Sequence, residues 1–483
     1  MRSRVDDRLF SSFIEHLGRA IYGGIYDPDD PTADEQGFRT DVIKLVKALQ
    51  PTLVRYPGGN FVSGYDWTDG IGPRELRPAR LDLAWRSIES NVIGIDEFYD
   101  WSKKAGTGIL AAVNMGTGTP HNAGALLEYC NHPGGTAWSD RRKANGHQEP
   151  FNIKTWCLGN EMDGPWQIGQ LSAADYGKKA RETAKIMKWI DPDIELVLSG
   201  SSAPSMPTYP EWDRIVLEHA YDQVEFLSLH RYYEKVGSPE DFLASFWDMD
   251  QFIKTVCATA DYVKALKRSK KTINLSFDEW NVWYMSQQTP HDWQSAPALL
   301  EDRYTLLDAL VVGGLGITLL NNADRVKIAC LAQLVNVIAP ITTVPGRGAF
   351  VHSTYYPFRD LSCYGRGTVL VPIVKGQSQE TSFGDAPLVP VAAVLDDAGT
   401  TITVFALNTD LDHVADLKLD VRSFGSCTLT EWSVLAGTDL TKQNSAEDPA
   451  AVKTVQKTIP EQSDWVLHLD PASWNVIRIG IKK

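Results

Sequence analysis

Two glutamates stand in sequence frames suited to acid–base chemistry. Glu161 ends the run Thr155-Trp156-Cys157-Leu158-Gly159-Asn160 and is followed by Met162-Asp163-Gly164-Pro165-Trp166. Glu279 ends Asn274-Leu275-Ser276-Phe277-Asp278 and is followed by Trp280-Asn281-Val282-Trp283-Tyr284. Each run reads as a buried strand that gives way, at the acid, to loop and aromatic residues. The C-terminal tip of a parallel strand is where a barrel enzyme carries its catalytic side chains. Hydrolysis of a glycosidic bond with retention needs an acid for the leaving oxygen and a nucleophile across the anomeric carbon, their carboxyl groups about 5–5.5 Å apart. The pair therefore points to a retaining glycosidase. Asn160, beside Glu161, is placed to donate to a sugar hydroxyl next to the anomeric centre. Either glutamate alone would serve equally well as a helix-cap neighbour or a solvated loop acid.

The elements that must hold these acids follow from periodicity. Short apolar runs at residues 12–16, 53–56, 109–114, 155–160, 196–200, 226–230, 273–277 and 317–320 alternate with helical segments. Eight strand–helix units predict a (β/α)8 TIM barrel over 8–365, with Glu161 on the fourth strand and Glu279 on the seventh. No glycine-rich nucleotide fingerprint favours an open doubly wound sheet instead. Ser172-Ala-Ala-Asp175 reads as a helix N-cap, with Tyr176, Ala180, Ala184 and Met187 on the buried face and a stop at Asp191-Pro192. Residues 41–50 form a similar amphipathic helix closed by Pro51. After residue 366 the period changes to two, as in 400–408 and 474–481, and 366–483 is predicted to be an antiparallel β-sandwich, jelly-roll-like.

Composition bounds the rest. With 43% hydrophobic and 22% charged residues, the 483-residue chain can bury a large core. A net charge of −14 without a basic run argues against nucleic acid as a partner. The 15 Trp supply flat apolar faces that stack on sugar rings as well as filling a core. Six cysteines are scattered without paired spacing, the pattern of buried thiols in a reducing compartment. The first residues lack the apolar stretch of a secretory signal, and no segment has the length of a membrane helix, so a cytoplasmic protein with no membrane partner is expected. His16 and His230 lack metal-ligand spacing, so neither a metal nor another cofactor is expected.

Five stretches together resemble the α-L-arabinofuranosidases of glycoside hydrolase family 51, in the broad clan A of retaining glycosidases. They are Phe13-Ile-Glu-His-Leu-Gly-Arg19, Arg55-Tyr-Pro-Gly-Gly-Asn-Phe61, residues 156–166, residues 276–284 and the run from Asp324 to Asn336. The resemblance covers nearly the whole chain and implies that Glu161 is the acid/base and Glu279 the nucleophile. It further implies that Glu15, Asn60, Asn160, Tyr232 and Gln333 hold the arabinose of the terminal subsite. These residue types make sense at their positions. Glu15 ends the first strand, and a carboxylate holds two hydroxyls. Asn60 follows Pro57-Gly58-Gly59, a turn that lets backbone approach closely. Tyr232, at the end of the sixth strand, can orient the nucleophile, while its neighbour Tyr233 is expected in the core. Gln333, in what reads as an apolar helical stretch, needs buried partners. Trp85, Trp283 and Trp293 are candidate stacking platforms, and equally candidate core.

Two departures from the family stand out. Arg231 replaces an expected Gln, which would alter the pocket rim. The chain also starts close to the first barrel strand, so either a preceding strand of the sandwich is missing or the start is truncated. The expected activity is exo-hydrolysis of terminal α-L-arabinofuranosyl residues from arabino-oligosaccharides, by a homo-oligomer that the resemblance makes a hexamer. The alternatives are a xylosidase, glucanase or galactofuranosidase of the same clan, or a non-catalytic carbohydrate-binding protein.

Overall fold

The computed structural model describes residues 3–285, 292–459 and 465–482. Eight parallel strands close into a barrel: β1 Ser11–Phe13, β2 Leu53–Tyr56, β3 Gly108–Val113, β4 Thr155–Leu158, β5 Glu195–Leu198, β6 Phe226–Tyr233, β7 Asn274–Val282 and β8 Val326–Ala332. Each strand pairs with its sequence neighbours, and β8 pairs with β1, so no edge is left open. Phe13, Leu110, Cys157, Val197, Phe226 and Ile328 fill the interior. Helices cover the outside, and strands buried on both faces read as continuous apolar runs rather than alternating ones. The helix Ala173–Ile190 is capped as expected: Ser172 accepts from the Asp175 amide, and the buried face carries Tyr176, Ala180, Ala184 and Met187.

The eighth strand corrects the sequence expectation. Residues 317–320 lie inside helix α1, Leu306–Asn321, which is buried along nearly its whole length. A helix apolar on every face cannot be told from a buried strand by periodicity. The strand itself is 326–332, and Gln333 stands at its tip rather than in a helix.

The C-terminal region forms a seven-stranded antiparallel sheet from β9 Thr368–Val369, β10 Val391–Leu395, β11 Thr401–Asn408, β12 Cys427–Leu435, β13 Val455–Gln456, β14 Ser473–Ile481 and the two-residue strand Ser3–Arg4. Its second layer is small, an antiparallel pair of Ala415–Lys418 with Val466–Leu469. Ser3–Arg4 pairs with Thr368–Val369, so the sheet does have an N-terminal strand, and the alternative that it is missing falls.

One face of the sheet packs on the barrel through Phe405, Leu407, Trp474 and Val476, and the other carries Ile402, Val404, Trp432 and Ile477. Helix α1 is the contact element. A Cβ added at Gly313 would lie 2.5 Å from the buried Trp474 ring, which is fixed by a 3.1 Å indole N–H bond to Asp360. Gly to Ala in a helix interior ordinarily stabilises by about 1 kcal/mol, whereas overpacking a core costs about 1–3 kcal/mol. Gly313→Ala is therefore expected to lower Tm; a raised Tm in thermal denaturation would show that the sheet yields at this contact.

Candidate active site

Side chains at or near the ends of six barrel strands, β1, β2, β4, β6, β7 and β8, converge at one end of the barrel. Glu161 lies three residues past β4, where Gly159 (φ +86°) and Glu161 itself (φ +44°) both take left-handed backbone conformations. The tight turn lifts the carboxylate out of the strand line, and a non-glycine residue held there stores about 1–3 kcal/mol of strain, as functional sites often do. Trp166 donates its indole N–H to Glu161 Oε2 at 2.7 Å, and His230 Nδ1 lies 3.0 Å from Oε1.

Glu279, within β7, is buried. Arg55 from β2 donates to its Oε1 at 2.6 Å, and the Tyr232 hydroxyl from β6 donates to its Oε2 at 2.7 Å. Burial pushes the Glu279 carboxyl above the usual carboxylate range, and nearby Glu161 adds to this; His230 and Arg55 pull the other way. Carboxylate oxygens of Glu161 and Glu279 and a ring nitrogen of His230 all lie within 4.8 Å of one another. So close an approach of the two carboxylates suits a direct displacement, in which the carboxyl groups stand about 5–5.5 Å apart.

Behind this pair runs a buried charge chain. His230 Nε2 is 3.0 Å from Asp278 Oδ1, and Arg55 Nε is 3.7 Å from Asp278 Oδ2. Burial alone would lower the His230 pKa, but the carboxylates of Glu279, Asp278 and Glu161 raise it to about 10. Burial likewise would raise Asp278, and the Arg55 and His230 charges hold it down to about 2. Both ring nitrogens of His230 thus face carboxylate oxygens, to which an imidazolium donates twice, and Glu161, His230 and Glu279 also lie as close together as a metal-ligand set would. His16 is similarly engaged, Nδ1 with Glu89 at 2.8 Å and Nε2 with the Tyr56 hydroxyl at 2.9 Å.

The residues expected to bind sugar converge on the same end. Arg55 donates to Asn160 Oδ1 at 2.8 Å, and Asn160 Nδ2 donates to Asn60 Oδ1 at 3.3 Å. Glu15 Oε1 accepts from the Phe61 amide at 2.8 Å and from the Trp85 indole at 2.9 Å. Gln333 clasps Glu15, its Oε1 accepting from the Glu15 amide at 3.0 Å and its Nε2 donating to Oε2 at 3.4 Å. Gly58 and Gly59 are required here, because a Cβ at either would come within 2.7 Å of the Glu15 side chain. Trp283 meets the Tyr232 ring edge-on at 5.0 Å, whereas Trp293 lies against Arg86.

Strand alternation settles two neighbours. His230 and Tyr232 point into the site, so Arg231 points away, bonding Asp248 at 2.8 Å and covering the Tyr233 ring. It does not form the pocket rim that the sequence suggested. Tyr233 is buried, with its hydroxyl on the same Asp248. Arg55, Trp166, His230 and Asp278 were given no role from sequence. A lone arginine in an apolar strand, and an acid directly before Glu279, were the available signals.

A closed barrel with two carboxylates facing each other from the ends of its fourth and seventh strands defines a retaining glycoside hydrolase. Comparison with known proteins narrows the class. Family models described as α-L-arabinofuranosidase 1 domain and α-L-arabinofuranosidase C-terminal domain match residues 45–238 and 278–473. An "Intracellular exo-alpha-(1->5)-L-arabinofuranosidase 1" from Bacillus subtilis is 51% identical, covering 98% of this chain and 96% of that one. A similarly named protein from Halalkalibacterium halodurans is also 51% identical over 99% of this chain and 97% of its own. The solved structure of a family 51 α-L-arabinofuranosidase from Bifidobacterium longum superposes with a TM-score of 0.96 at 45% identity, covering 99% and 97% of the two chains. The chain belongs to the α-L-arabinofuranosidases of glycoside hydrolase family 51.

The buried Glu15 generates a pH prediction. Burial raises its pKa from 4.5 to about 8, against the opposing pull of Phe61 and Trp85. Between these values the folded state holds a proton that the unfolded state has released, so stability falls as pH rises through that window. Glu15→Gln should lose less Tm than the parent between pH 5 and 8; parallel Tm profiles would mean that Glu15 is ionised in the fold.

Proposed function

We propose that the protein is an exo-acting retaining α-L-arabinofuranosidase that removes terminal non-reducing α-L-arabinofuranosyl units from arabino-oligosaccharides by double displacement. The observation that carries this is the Glu161–Glu279 approach within 4.8 Å at the end of a closed barrel. Glu279, with both oxygens accepting hydrogen bonds, attacks the anomeric carbon, and Glu161 protonates the leaving oxygen. A covalent arabinosyl ester on Glu279 forms, and Glu161 then takes the proton of the incoming water. His230 holds the Glu161 carboxyl from below while its other ring nitrogen is pinned to Asp278. Glu15, Gln333, Asn60 and Asn160, grouped beside the two glutamates, offer the donors and acceptors that a terminal sugar needs. Trp85, which donates to Glu15, and Trp283, which packs edge-on against Tyr232, complete the proposed substrate-binding set.

The named relatives are intracellular enzymes, and no helix among the described residues is long and apolar enough to cross a membrane. These support a cytoplasmic enzyme acting on short oligosaccharides. Its proposed assembly as a homo-oligomer, a hexamer in family 51, is tested by light scattering, where a mass of one 53.6 kDa chain would refute it.

Nitrophenyl α-L-arabinofuranoside, assayed beside the β-xyloside and β-galactofuranoside, tests the substrate; a preference for either competitor contradicts it. Glu279→Ala should lose several orders of magnitude in kcat, with azide restoring part of the turnover as the inverted β-arabinosyl azide; near-normal turnover would remove Glu279 from the nucleophile's role. Glu161→Ala should slow poor leaving groups far more than activated aryl ones, whereas a uniform loss would deny it the acid role. Proton NMR of the first product should show the α-anomer, and a β-anomer appearing first rules out double displacement.

A further inference from the structure

Away from the strand-tip cluster, two adjoining cavities of about 450 and 560 Å³ share Glu301, Asp302 and Arg303. Both fall in the size range of small-molecule sites. The first is walled by the hairpin of Ile341–Val344 and Gly348–Val351 and by residues 444–447 of the C-terminal region. The second reaches Tyr284, whose amide donates to Asp302 at 2.7 Å and whose chain neighbour Trp283 braces Tyr232. The cleft thus lies between the C-terminal region and the loop that follows β7.

The lining of the first cavity is charge-balanced, with Arg19, Arg303 and Arg347 against Glu301, Asp302 and Glu447. Arg19 grips Glu301 through bonds of 2.6 and 2.9 Å, and Arg347 reaches Glu447 at 3.1 Å. Arg303 has no ion-pair partner among the described residues. His352 is 2% exposed; its Nε2 bonds the Thr342 hydroxyl at 2.8 Å, while Nδ1 has no partner among the described residues. Burial and the Arg303 charge hold the His352 pKa down to about 4, so the ring is neutral. Phe350, half-buried, supplies an apolar face beside it.

A balanced lining disfavours a charged ligand, since either sign would meet a like charge. The Arg19–Glu301 fork presents hydroxyl-matching donors and acceptors side by side, and the aromatic face of Phe350 suits the C–H side of a sugar ring. We propose that this cleft is a second, non-catalytic site for a neutral oligosaccharide, with Phe350 as the platform and Arg303, which lines both cavities, as its main polar contact. The choice of an arabino-oligosaccharide as probe rests on the function proposed above.

The test is calorimetric titration of Glu279→Gln protein, which cannot turn over substrate, with linear α-1,5-arabinotriose. Two sites per chain are expected. Adding Phe350→Ala should leave one, and adding Arg303→Ala should weaken the second at least tenfold. Phe350→Ala and Arg303→Ala in the parent protein should keep kcat/KM on the aryl arabinofuranoside within about twofold, which also reports correct folding. One site that survives Phe350→Ala and Arg303→Ala, two sites that ignore both changes, or no binding would overturn the proposal. One site that disappears with Phe350→Ala would uphold the second site while counting against arabinose recognition at the strand tips.

Discussion

The polar end of the barrel is organised around Arg55. Its guanidinium is almost wholly buried and lies over the Phe13 ring, 5.0 Å from the centroid. A buried cation must be matched, and removing one partner of such a pair costs about 3–5 kcal/mol. Arg55 meets this demand with Glu279 at 2.6 Å, Asn160 at 2.8 Å and, more distantly, Asp278 at 3.7 Å. In doing so it ties β2 to β4 and β7, the strands that lead to both glutamates. Arg55 thus fixes the Glu279 carboxylate directly and reaches the turn before Glu161 through Asn160, two contacts that lysine, a flexible point charge, could not reproduce together.

A second constraint is the balance of charge below the carboxylates. The Asp278–His230 pair sets an imidazole beside both glutamates, its Nδ1 3.0 Å from Glu161 and 3.7 Å from Glu279. Asp278 stays ionised because Arg55 and His230 both face it. His230 stays protonated because three carboxylates surround it. The two effects depend on each other, so the cluster titrates as a unit rather than as separate residues. Glu15 lies outside this compensation and has only neutral donors around it, which is why burial dominates there.

Much of this was legible in the chain, for physical reasons that also mark the limits. Glu161 stood out because its strand breaks into glycine, proline and tryptophan at a barrel rim, and Glu279 because an apolar run meets paired acids and then aromatics, although its strand runs on to Val282. Glu15, Asn60 and Gln333 were found through long motifs, and their mutual contacts, Glu15 with Gln333 above all, required the fold. Arg55 was hidden because an arginine between Val54 and Tyr56 has no periodic signature of burial. Helix α1 misled because a helix enclosed by barrel and sheet has no polar face to mark its period. The strand Ser3–Arg4 was missed because two residues carry no pattern at all.

Covalent trapping tests the central claim, that Glu279 is the nucleophile set by Arg55, most directly. The protein would be incubated with a slow arabinofuranoside bearing fluorine at C2 and an activated leaving group, then digested and mapped by mass spectrometry. The account predicts one arabinosyl ester per chain, on Glu279, formed in the parent and greatly slowed in Arg55→Met. An adduct on Glu161 or any other residue, or undiminished labelling of Glu279 without Arg55, would contradict it.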